Sequence, residues 1–152
     1  QTAWNLRMDK RVVLKERTNI RNLQGENLYG ENEEWADFFV ADVSFISLTK
    51  VLPSITSLLK KENQEGVILV KPQFEVGRER VGKGGVVRDP KFHLDAINAV
   101  ISSSISLGWT VKGILPSPIT GPAGNHEYLI WLGIGNPSDL PDLKELVANT
   151  LN

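Results

Sequence analysis

The segment from Val67 to Glu75, Val-Ile-Leu-Val-Lys-Pro-Gln-Phe-Glu, constrains this chain more than any other stretch. Four consecutive branched aliphatics after Gly66 predict a strand buried on both faces, as in the centre of a parallel sheet. The run stops at Lys71 because Pro72 has no N–H for a ladder and pushes the preceding residue towards extended geometry. Lys71 is thereby delivered to the carboxyl edge of the sheet, where ligands bind in open α/β folds.

The flanking pattern predicts the rest of an α/β domain. Thr2 to Met8 has helix-forming composition, and Val12 to Leu14 reads as a short strand. Asp37 to Ser44 predicts a second buried strand, ending near Asp42. From Ser47 the apolar residues Leu48, Val51, Leu52, Ile55, Leu58 and Leu59 fall on one helical stripe, with Pro53 in the first turn. Val76 to Arg88, rich in glycine and charge, is expected to be a mobile loop. Asp89-Pro90 is an N-cap followed by proline at the first helical position; Ile97, Val100, Ile101 and Ile105 then line a buried stripe until Gly108. Two strands, Trp109 to Leu115 and Glu127 to Ile134, follow without an intervening helix and should pair antiparallel. Ser138 to Leu151 closes as a helix.

At 152 residues the chain suffices for one domain, since a chain of that size buries roughly 70% of its unfolded surface. It has no cysteine, which excludes disulfides and thiolate metal sites. With no apolar run near the ~20 residues of a membrane span and no signal-peptide pattern, a soluble, cytoplasmic protein without a membrane anchor is expected. The net charge of −1 gives no overall nucleic-acid footprint, but its distribution is uneven. Residues 7 to 21 hold six cations against Asp9 and Glu16; residues 71 to 91 hold Lys71, Arg78, Arg80, Lys83, Arg88 and Lys91 against three acids. A solvated face is the plain explanation of either cluster taken alone.

Three ionisable residues occupy comparable places: Asp42 and Lys71 at two strand ends, and Glu127 at the start of the last strand. If that strand runs opposite to its neighbours, all three share one sheet edge. A lysine between two carboxylates rests as an ammonium, and exclusion of water by a bound substrate favours its neutral form. Such a trio suits activation of a hydroxyl for attack on an electrophile. The plainer roles are a helix cap for Asp42, a solvated strand end for Lys71 and a surface glutamate for Glu127. With His93 and His126 the only histidines, no metal site is expected. Gly82-Lys83-Gly84-Gly85 lacks the spacing of the NTP-binding loop and reads as a basic loop that covers a substrate or meets a nucleic-acid backbone.

Glu16-Arg17-Thr18-Asn19-Ile20-Arg21, Asp42-Val43-Ser44-Phe45-Ile46-Ser47, Lys71-Pro72-Gln73-Phe74-Glu75, the loop from Gly82 to Asp89, Ser117-Pro118-Ile119 and Gly124-Asn125-His126-Glu127 occur in the order seen in the TlyA family. The chain resembles that hemolysin A-like family over nearly its whole length, and through it the FtsJ-type ribosomal RNA 2′-O-methyltransferases. The resemblance implies a Rossmann-like methyltransferase sheet, S-adenosylmethionine as cofactor, and RNA, ribosomal RNA or ribosomal subunits, as partner. FtsJ-type enzymes use a Lys-Asp-Lys-Glu tetrad; Asp42, Lys71 and Glu127 match its last three members, the same trio that the strand ends select. Glu16, Thr18, Asn19, Asp42 and Ser44 are the implied cofactor contacts, and Arg78, Arg80, Lys83 and Arg88 the candidate RNA contacts.

The family's first lysine, its S4-like RNA-binding domain and the first two strands of its sheet would lie upstream of Gln1. The chain is therefore expected to be the C-terminal portion of such a domain and to bind S-adenosylmethionine poorly by itself. The order 3-2-1-4-5-7-6 of such sheets then leaves the Asp37 to Ala41 strand with an open apolar edge that invites self-association. The rival reading is a binding or membrane-active hemolysin that retains the fold without catalysis.

Overall fold

The computed structural model describes residues 2–152. Its sheet has four strands, β1 (Phe38–Ala41), β2 (Glu65–Val70), β3 (Thr110–Pro116) and β4 (Tyr128–Gly133), in the spatial order β1-β2-β4-β3. β1 and β2 are parallel, whereas β4 runs antiparallel to both β2 and β3. This is an α/β sheet ending in an antiparallel pair, and it matches the 4-5-7-6 half of the order expected from the resemblance.

Side-chain alternation along β2 decides where the core lies. Gly66, Ile68 and Val70 are buried while Val67 and Leu69 are only half-buried, so the expectation of burial on both faces is corrected. Ile68, Val70, Tyr128, Ile130 and Leu132 form the inner face. On the outer face Phe38, Val40, Leu115 and Trp131 stay exposed.

The helices are α1 (Trp4–Met8), α2 (Gly25–Leu28), α3 (Leu52–Ser57), α4 (Pro72–Glu75), α5 (Pro90–Ser106) and α6 (Leu143–Leu151). All six residues of the predicted stripe from Leu48 to Leu59 are buried, but a 3-10 turn at Leu48–Lys50 precedes α3. Ser47 caps that turn by accepting from the Thr49 N–H, and Pro53 sits in the first turn of α3 as expected. Asp89 caps α5 through the Lys91 N–H, with Pro90 at the first helical position. Gly108, at φ +89°, ends the turn after it. Ile97 and Val100 line the buried stripe, yet Ile105 is exposed and Ser104 is buried in its stead. The Ser104 hydroxyl is satisfied there by donating to the Val100 carbonyl. Full burial of side chains such as Leu52, Ile97 and Ile130 contributes about 1.5–3 kcal/mol each.

Two further expectations are corrected. Val12 to Leu14 is not a strand: it belongs to no element and is exposed, the Val12 N–H donates locally to the Asp9 carbonyl, and among the described residues no strand pairs with it, so an unpaired strand gains nothing. The last helix begins at Leu143 and not at Ser138, because Pro141 falls just before the cap that Asp142 provides.

Candidate active site

Asp42 and Lys71 each follow the last residue of their strand, and β1 and β2 are parallel, so both side chains emerge at one edge. Lys71 Nζ lies 2.5 Å from Asp42 Oδ1 and donates to Ser44 Oγ at 3.2 Å. The lysine side chain is 13% exposed and the aspartate 68% exposed, so the amine is held inward by a carboxylate that still meets solvent. Glu127 reaches the same edge by reversal of direction. Val70 pairs with Tyr128, which puts Glu127 opposite Lys71 one step beyond the ladder. Glu127 is buried, and its Oε1 accepts from Gln73 Nε2 at 3.1 Å.

Lys71, Glu127, Gln73, Ser44 and the rings of Phe45 and Phe74 line one cavity of about 400 Å³. Asp42 borders the next one, an apolar groove of about 290 Å³ walled by Ile20, Leu28, Phe38 and Val43. The ion pair is thus a partition between two concavities. That division decides what each can accept: the first mixes aromatic and ionisable walls, the second is apolar with one carboxylate at its rim.

The two strand exits are stapled together beyond the ion pair. Glu75 accepts from Ser47 Oγ at 2.5 Å and from the Leu48 N–H at 2.8 Å. Burial pushes the Glu75 carboxyl up from the ordinary glutamate range, and these two donors partly counter it. The Phe45 and Phe74 rings lie 5.0 Å apart at 45°. Phe45 is 91% exposed and adopts φ +63°, a left-handed backbone that a bulky residue seldom takes. Such an outlier beside a cavity points to a functional constraint.

Other candidates are scattered. Glu16 pairs with Arg7, the Thr18 hydroxyl donates to the Glu16 carbonyl, and Asn19 caps the Ile20–Asn22 turn by accepting from the Arg21 N–H. All three are exposed, and none lines the cavity that holds Lys71. Arg78, Arg80, Lys83 and Arg88 are exposed on the glycine-rich loop. Arg80 is engaged elsewhere, 2.7 Å from Asp95 and 5.1 Å above the Phe92 ring on α5.

Three residues of the site escape sequence reasoning. Gln73 and Asn125 lie inside the recognised segments, but only their contacts distinguish them: Gln73 holds Glu127, and Asn125 accepts from the Val87 N–H while donating to the Gly85 carbonyl. His93 is fully buried between Val87 and Tyr128. The helical spacing that buries His93 with Ala96, Ile97 and Val100 was the available signal. The loop from Val76 to Arg88 is thus hydrogen-bonded at Gly85 and Val87, and it includes a 3-10 turn at Arg78–Arg80.

Comparison with known proteins follows the same lines. TlyA of Mycobacterium tuberculosis, a 16S/23S rRNA (cytidine-2′-O)-methyltransferase, is 48% identical over 132 residues, which is 87% of this chain and 47% of that protein. Hemolysin A of Brachyspira hyodysenteriae is 42% identical over 130 residues, 85% of this chain and 52% of its own length. The chain spans about half the length of these curated relatives. A crystal structure of a provisionally named hemolysin from Lactococcus lactis superposes with a TM-score of 0.85 at 39% identity, covering 97% of this chain and 70% of that one. Among the described residues no helix is long and apolar enough to cross a membrane. The sequence profile of FtsJ-like methyltransferases matches residues 1–134, and the chain belongs to the FtsJ-like methyltransferase family.

Proposed function

We propose that the protein containing this chain transfers a methyl group from S-adenosylmethionine to a ribose 2′-hydroxyl of RNA, with ribosomal RNA as the substrate class and the cytoplasm as its place of work. The observation that carries the reading is the Lys71 amine, held by Asp42 and Ser44 at a cavity that Glu127 also lines. Lys71 Nζ orients the hydroxyl and, having first released its own proton to solvent, takes the hydroxyl proton as the oxygen attacks. Asp42 fixes the amine at one side, and Glu127, steadied by Gln73, presents a carboxylate from the opposite strand. General-base assistance of this kind contributes about 10²–10⁴-fold, and orientation of the hydroxyl supplies much of the rest.

The surfaces suit the cofactor. An apolar groove accepts an adenine ring, and an exposed carboxylate at its rim, Asp42, suits a sulfonium cation. When bound, S-adenosylmethionine supplies an electrophilic methyl. Asp42 and Ser44 would hold it at the strand exit; Glu16, Thr18 and Asn19 are proposed to join them in the whole protein. Phe45 offers an exposed ring for stacking a base, the usual way an unpaired nucleotide is gripped. Lys83, Arg88 and Arg78 would meet phosphates, with Arg80 contributing less because Asp95 already neutralises it.

Replacing Lys71 with alanine in the whole protein tests the assignment. Transfer of radiolabelled methyl to ribosomal RNA should fall by about 10²–10⁴-fold, with RNA affinity changed by less than threefold. Undiminished methylation by that variant would end the reading.

A further inference from the structure

The glycine-rich loop is bound through Val87 and Gly85 to the approach to β4 and to α5. The Val87 N–H donates to Asn125 Oδ1 at 3.0 Å, and the Val87 carbonyl lies 2.9 Å from His93 Nε2. Asn125 Nδ2 donates in turn to the Gly85 carbonyl at 2.8 Å. Val87, Asn125 and His93 are all buried. A carbonyl can only accept, so His93 carries its proton on Nε2, and Nδ1 accepts from the Tyr128 hydroxyl at 3.0 Å. Burial favours the same state, lowering the imidazole and pushing the Tyr128 phenol up to about 12.

Both ends of this network reach the start of β4. Asn125 precedes Glu127 by two residues and Tyr128 follows it. Within the loop the Gly82 N–H donates to the Val86 carbonyl and the Gly85 N–H to the Gly82 carbonyl, closing a tight bend. Gly84 and Gly85, at φ +81° and +79°, permit it. Lys83 sits at the tip, its carbonyl accepting from Arg88 Nη1, and Gly85 forms part of the cavity wall beside Lys71 and Glu127.

We propose that His93 and Asn125 are positioning residues that lock this loop to β4, so that Lys83 and Arg88 meet the RNA backbone as a fixed pair. The inference rests on the RNA reading above. A loop already ordered before encounter loses little freedom on binding, so the lock acts on RNA affinity more than on the transfer step.

The test uses the whole protein and two readouts. Hydrogen exchange at the Val87 amide, with Ile130 and Leu132 of β4 as reference, reads the lock without RNA. His93→Leu and Asn125→Ala should each speed Val87 exchange at least tenfold, leave the β4 amides unchanged, and raise the RNA KM about tenfold with a smaller change in kcat. His93→Gln, which keeps a donor for the Val87 carbonyl, should recover most of the KM. Adding Lys83→Ala to Asn125→Ala should cost less than Lys83→Ala alone, because the lysine is then already unfixed. Unchanged Val87 exchange overturns the lock. Faster exchange with an unaltered RNA KM and fully additive Lys83→Ala overturns its role in positioning. Should His93→Leu fail to fold, Asn125→Ala and His93→Gln decide the matter. If the protein proves not to methylate RNA, the exchange readout still stands, and RNA affinity measured by titration replaces KM.

Discussion

At the scale of single residues, two buried titratable groups tie stability to the site. Glu75 is the bond between the Asp42 and Lys71 segments, and its loss leaves the N–H of fully buried Leu48 without a partner. Glu75→Ala should therefore lower the unfolding free energy by about 1–3 kcal/mol. Glu75→Gln, which retains an acceptor, should cost less. Urea denaturation at neutral pH checks both. Burial raises the Glu75 carboxyl, so the folded protein holds that proton more tightly than the unfolded chain does. The relief is complete below the unfolded value near 4.5 and fades as pH rises through the folded one; the Gln variant should lack this slope. His93 works in the opposite sense. Its folded value lies below the ordinary 6.5, chiefly through burial, so stability present above 6.5 is lost as pH falls towards the folded value, at most about 1.4 kcal/mol per pH unit. The groups facing it, His126 and Asp89, push in opposite directions. Unfolding measured between pH 7.5 and 5 on the native protein and on His93→Gln should show the slope only in the former.

At the scale of elements, β1 is one of the two edge strands of the sheet. It pairs only with β2 among the described residues, and Val40 is 76% and Phe38 51% exposed. An apolar edge of that kind recruits other strands. Expressed as these 152 residues, the chain should self-associate in sedimentation velocity at micromolar concentration, and Val40→Lys should shift it towards monomer. Monomeric behaviour of the unmodified chain would contradict this. The contrast with Val12 to Leu14 is informative. Both segments are apolar and of β-forming composition, but one has a strand neighbour and became a strand, while among the described residues the other has none and did not. Strand propensity records fit to a half-buried pleated surface, so its outcome depends on a partner that the segment itself does not specify.

At the scale of the whole molecule, the four-stranded sheet brings together residues from three separated segments with modest means. Parallel β1 and β2 deliver Asp42 and Lys71 side by side, and antiparallel β4 returns Glu127 to them. The Lys71–Asp42 contact was legible in the chain because each strand announces its own end, Lys71 through the following proline and Asp42 through the change to helical spacing. The hydrogen bonds that hold the loop were not legible. Glycine and charge in local sequence speak for mobility, and the partners that hold Val87 come from α5 and from the approach to β4, tens of residues away in the chain for Asn125.

What this sequence determined unaided is local: the cap at Asp89, the buried stripe from Leu48 to Leu59, the strand ends at Asp42 and Lys71, and the motifs that mark the family. Each rests on forces acting within a few residues, such as a missing N–H, a side-chain acceptor or a helical period. Tertiary structure alone decided the burial of one sheet face and exposure of the other, the hold of Gln73 on Glu127, and the pinning of the loop by His93 and Asn125. Those depend on which distant groups arrive to satisfy a buried donor or cover an apolar surface, and that is fixed only when the whole chain has folded.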